Sequence, residues 1–126
     1  MTLQELSHHV ELRKRLAAAM ELLESLEAAQ KRDDIDFREW AAAIEDAKEE
    51  IAQTEAEITR SESVISGFIG TIGDLQTRTV FRLRFLGGLT WREVAETIGG
   101  RNTEAGVRML CYRHLEAHAG KGVERQ

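Results

Sequence analysis

The chain is expected to be all-α: a long N-terminal helical hairpin or coiled coil, then a small three-helix helix-turn-helix domain. Three observations lead there. The 126 residues include no proline, the residue that most often breaks a helix. In the first half, apolar residues recur at steps of three and four, the period of a helix burying one stripe. In the second half, the pairs Gly87-Gly88 and Gly99-Gly100 divide three shorter segments of the same periodicity. Hydrophobic residues make up 42% and charged residues 31%, a balance suited to a water-exposed helical protein.

The first helix is expected over 3–31. Leu3, Leu6 and Val10, then Leu12, Leu16, Ala19, Leu23 and Leu26, recur as one buried stripe, an imperfect heptad whose phase shifts near Leu12. His8 and His9 read as exposed surface. The polar run KRDDID reads as a turn. Asp36 and Glu39 then form a D-x-x-E capping box, which satisfies free amides at a helix start. Phe37, Trp40, Ile44, Ala47, Ile51, Thr54, Ile58, Ser61 and Ile65 follow without a break, a seam of about four heptads. Ala47, Thr54 and Ser61 make it narrow, so it needs a partner: helix one folded back, or a second copy of the chain. Gly67, Gly70 and Gly73 mark either a hinge or a place where another helix packs closely.

Asp74 can cap a third helix through Leu75, Val80, Phe81, Leu83, Phe85 and Leu86. Thr90 and Glu93 form a second capping box and open a fourth helix, Trp91 to Ile98. Asn102 or Thr103 caps a fifth, running to about Ala117. The tail GKGVERQ is polar and reads as frayed. The organisation expected is therefore 1–66 helical hairpin or coiled coil, 67–119 helix-turn-helix domain and 120–126 polar tail.

Charge divides along the same line. Residues 1–66 carry 16 acidic and 8 basic side chains, residues 67–126 carry 6 and 9, and the chain as a whole is at −5. Phosphate binding depends on the local field of the docking face, so an acidic first half does not forbid it. In the fourth and fifth helices, Trp91, Val94, Ala95 and Ile98, then Val107, Leu110, Cys111 and Leu115, mark the inward faces. Arg101, Asn102, Thr103, Glu104, Arg108 and Tyr112, with Met109, are assigned to the outer face. Arginine can read guanine and asparagine adenine through paired hydrogen bonds. Tyr112, Arg113 and Arg92 suit phosphate or sugar, and Arg78, Arg82 and Arg84 could hold flanking backbone. Double-stranded DNA is thus the expected ligand.

The segment from about Ile65 to Leu115 resembles the fourth conserved region of sigma-70 family factors. It is more similar still to the sigma-like helix-turn-helix proteins of phages and prophages, the RinA and ArpU type of late-gene regulators. The resemblance rests on Asp74-Leu75, Arg78 with Leu83-Arg84-Phe85, Gly87-Gly88, Trp91 to Ala95, and Val107-Arg108. It implies a transcriptional regulator of phage or prophage origin, promoter or operator DNA as ligand, and RNA polymerase as a further partner. Many such proteins carry an N-terminal coiled coil, in keeping with a homodimer through residues 3–65. The turn before Val107 is about two residues longer than in sigma factors and Gly106 lies early in the fifth helix, so base preference does not carry over.

Cys111, His114 and His118 share a face of the fifth helix, but no fourth metal ligand is evident and Cys111 fits a core. No phosphate loop, nucleophile elbow or H-E-x-x-H motif occurs. Neither an enzyme nor a cofactor is expected. With no apolar run near the ~20 residues of a membrane span, no signal sequence and one cysteine, the expected place is the cytoplasm, at the nucleoid. Two other readings share this architecture: a phage small terminase subunit binding packaging DNA, and a protein-interaction module that contacts RNA polymerase without DNA.

Overall fold

A computed structural model describes the backbone of residues 1–29 and 36–124 and the side chains of those up to 118. The described chain is all-helical: α1 Leu3–Ala29, α2 Phe37–Gly70, α3 Leu75–Phe81, α4 Trp91–Ile98 and α5 Glu104–Glu124. The turn expected over KRDDID falls almost entirely outside the described residues. Among those described, no helix is long and apolar enough to cross a membrane. Two compact units divide the chain, one of Glu11–Arg60 and one of Met1–Val10 with Ser61–Gln126.

In the unit of residues 11–60, α1 and α2 meet in opposite chain order. The Trp40 indole Nε1–H donates to the Leu26 carbonyl at 2.8 Å, and Arg15 pairs with Glu50. Ile44, Ala47 and Thr54 are buried, while Trp40, Ile51 and Ile58 are half-buried. From α1, Leu12 is buried and Leu16, Ala19, Leu23 and Leu26 are half-buried. Phe37 departs from the expected seam, at 70% exposure. Asp36 caps α2, accepting from the Arg38 N–H at 3.0 Å.

The second unit assembles its core from both ends of its discontinuous chain. Leu6 of α1 joins Ile65 and Ile69 of α2, Ile72, Val80, Phe81 and Phe85, Val94 and Ala95 of α4, and Val107, Cys111 and Leu115 of α5. Edge-to-face and tilted rings knit it together: Phe68–Phe81 at 5.7 Å, Phe81–Phe85 at 5.7 Å, Phe85–Trp91 at 5.8 Å. Such pairs add to the burial of their area. At the start of α1, Thr2 accepts from the Glu5 N–H and donates to its carboxylate, both at 3.2 Å.

Several expectations need correction. His9 is not exposed surface: it is fully buried, with its Nδ1 2.5 Å from the Ser61 hydroxyl. Leu6, His9 and Leu12 step by three, so His9 bridges the phase shift in the apolar pattern. No break occurs at 66/67, because α2 runs on to Gly70 and its last turns supply Ile65 and Ile69 to the second unit. A Cβ on Gly67, Gly70 or Gly73 would meet nothing within 4 Å, so these glycines serve no close packing. Gly67 interrupts neither the helix nor a contact, and nothing in the structure explains it. Finally, α5 continues to Glu124 rather than stopping near Ala117, as no proline or capping residue ends it there.

Candidate nucleic-acid interface

Asp74 opens α3 by accepting from the Thr77 N–H at 2.9 Å and the Thr77 hydroxyl at 2.7 Å. The backbone hydrogen bond, then that from the hydroxyl, holds its carboxyl below the ordinary carboxylate value. After Phe81 the helix widens into a π-type turn over Arg82–Leu86, where the Gly87 N–H reaches back to the Arg82 carbonyl at 2.8 Å. A Cβ on Gly87 would sit 2.6 Å from the Leu83 carbonyl oxygen, a clash with backbone. Glycine is required there for room rather than for φ.

Two arginines expected to be available for DNA backbone lock this corner instead. Arg78 donates to the Ile72 carbonyl at 2.9 Å. Arg84 donates to the Leu89 carbonyl at 2.9 Å, and its guanidinium lies 5.0 Å from the centroid of the Trp91 ring, a cation–π contact. Arg82 and Arg92 stay exposed, the latter paired with Glu96 at 3.3 Å.

The Thr90–Glu93 capping box forms in both directions. The Glu93 N–H donates to the Thr90 hydroxyl at 3.1 Å, and the Thr90 N–H donates to the Glu93 carboxylate at 3.0 Å. The backbone bond from Thr90 is the main cause that lowers the Glu93 pKa. At the far end of α4, Gly99 adopts φ 74° and ψ −157°, a region essentially closed to side chains. Asn102 then donates to the Gly99 carbonyl at 2.8 Å and accepts from Gln76 at 3.3 Å. Thr103 is the cap of α5, its hydroxyl accepting from the Gly106 N–H at 3.0 Å.

Val107, Cys111 and Leu115 point into the core, with Val94 and Ala95 of α4 in the same cluster. Burial pushes the Cys111 thiol up to about 12, so it acts as a small hydrophobe rather than a nucleophile. His114 meets Phe81 edge-on at 5.5 Å, and Phe68 meets His118 edge-on at 5.4 Å. Among the described residues, no three His, Cys, Asp or Glu side chains come together as a metal site.

The eight expected contact residues therefore divide. Arg92, Arg101, Glu104 and Arg113 are exposed. Arg108 and Tyr112 are half-buried on one flank of α5, where the Tyr112 ring meets Trp91 edge-on at 6.3 Å. Asn102 and Thr103, though exposed, spend their side chains on the turn and cap. Sequence periodicity could not separate these roles, because Asn and Thr before a helix suit capping and base reading equally. Comparison with known proteins adds no relative: no family model, no curated protein and no solved structure matches the chain.

Proposed function

We propose that this chain is a sequence-specific DNA-binding transcriptional regulator of phage or prophage type. In this reading α3, α4 and α5 form a sigma region four-like helix-turn-helix, and α5 enters the major groove. One observation carries it: α4 and α5 share a core, separated by a tight glycine turn, and the face of α5 turned from that core bears cations. Arg101, Arg108 and Arg113 line or flank that face, with Glu104 at its start and Arg92 beside it. Cations suit phosphate, while Arg and Glu side chains at a helix start suit base edges. Asn102 and Thr103 set the angle of α5, and Tyr112 is wedged between α4 and the groove.

On the same reading, residues 3–65 form an antiparallel helical hairpin that pairs two copies. Linking two modules raises effective concentration at a two-part site, which offsets the modest charge of each. RNA polymerase is a further partner on this reading, reached from the DNA-bound state.

Fluorescence anisotropy with duplexes from the surrounding genome, across a salt series, tests the proposal. About four phosphate contacts per copy give a slope near −3.6 in log affinity against log salt. Arg113→Ala should flatten that slope by about one unit. Absence of salt-dependent binding at low ionic strength rejects the proposal and leaves a protein-contact module. A ring of many subunits in solution, with affinity for packaging DNA, points instead to a small terminase subunit.

A further inference from the structure

Over the first two turns of α5, the centre of the outward face is uncharged, although cations flank it. Val107, Cys111 and Leu115 define the buried side. The opposite side runs through Ala105, Met109 and Arg113, all exposed, with Gly106 next to Ala105. The first turn of this stripe thus holds one methyl group and one bare backbone, which let the start of the helix come close to any surface it meets. Met109 is the one long apolar side chain there, at 44% exposure, flanked by Arg108 and Arg113.

This inference rests on the DNA-binding reading and names what that surface reads. Backbone amides and arginines can meet phosphates and polar base edges, but a thioether chain has no hydrogen bond to give. Among the groups on the major-groove floor, thymine's 5-methyl is the apolar one. We infer that Met109 is a specificity residue that covers the 5-methyl group of a thymine, so the site contains at least one obligatory T·A pair facing the middle of α5. Methionine suits the task because it is unbranched and polarisable and can adapt to the methyl group's exact position. Arg108 and Arg113, on either side, fix the helix on the backbone and give no preference for that base.

The experiment uses the full chain. Duplexes are enriched from a randomised pool, and each thymine of the enriched site is replaced in turn by deoxyuridine, which removes the methyl and keeps the pairing. The wild type should lose about fourfold in affinity at one thymine, the worth of one buried methyl group. In Met109→Ala the same replacement should cost nothing, and Met109→Leu should restore part of the discrimination. Because Met109 is exposed, Met109→Ala should unfold at the wild-type denaturant concentration, so a loss of discrimination is not a loss of fold. Equal responses of wild type and Met109→Ala at every thymine overturn the assignment while leaving DNA binding intact. Failure to enrich any duplex overturns the DNA-binding reading and this inference together.

Discussion

Leu6 closes the first turn of α1, far in sequence from the segment it serves, and it is fully buried against residues of the C-terminal unit. Leu6→Ala removes three carbons from that core. At roughly 0.8 kcal/mol per carbon the transfer loss is about 2.5 kcal/mol. The cavity left behind raises the cost to about 3–4 kcal/mol, since ring-packed surroundings collapse incompletely. In a chain of this size the midpoint of thermal unfolding should fall by roughly 10–15 °C. Two tryptophans report separately, Trp40 from the unit of residues 11–60 and Trp91 from the C-terminal unit. Guanidinium unfolding in a Trp40→Phe background therefore follows the C-terminal unit alone through Trp91. Leu22→Ala is the matched control, the same chemistry on the same helix at 55% exposure, and should cost under about 0.5 kcal/mol. If Leu6→Ala shifts the Trp91 transition no more than Leu22→Ala does, the first ten residues are not part of that core.

Glycines in different settings should respond in opposite directions. Gly67→Ala, inside α2 with open space around it, should stabilise by about 0.5–1 kcal/mol, whereas Gly99→Ala, at φ 74°, should cost about 1–3 kcal/mol, both read from denaturant midpoints. Acid should erode the caps of α3 and α4. Asp74 and Glu93 are held below their ordinary values of 3.8 and 4.5, so their stabilisation is complete above those values and is lost as pH falls through the lower folded ones. Asp74→Asn should flatten the acid limb of a stability–pH curve, and an unchanged limb would show that the cap bonds contribute nothing to it.

The caps and most of the seam were legible because each depends on residues three or four apart. Asp74, Thr90 and the steps from Trp40 to Ile65 needed no knowledge of tertiary structure. His9 was misread because its polarity suggests water, while its place in the three-residue step from Leu6 to Leu12 suggests the interior; the neighbouring helix decided, by offering the Ser61 hydroxyl. Arg78 and Arg84 were beyond a local reading, since the carbonyls they bind are freed only where the chain leaves a helix. The same holds for Asn102, whose two amide atoms are occupied by a turn and by Gln76, a residue 26 positions earlier. On the candidate interface, periodicity separated inside from outside but could not tell a flank from a crest, so Arg108 and Tyr112 were grouped with residues that stand fully in water.

The C-terminal unit has a discontinuous chain: residues 11–60 are, topologically, an insertion between two parts of one core. Leu6 and His9 are synthesised well before Ile65 and Ser61, and longer still before Val107 and Leu115. Until those residues exist, this end of α1 has an apolar stripe and a buried-type histidine with nothing to cover them. Closing a segment of about fifty residues costs about 3.5 kcal/mol of chain entropy when it is flexible. Helices already formed in α1 and α2 shorten the search by turning two floppy arms into rods. The core of this unit therefore closes only once Val107, Cys111 and Leu115 have been made.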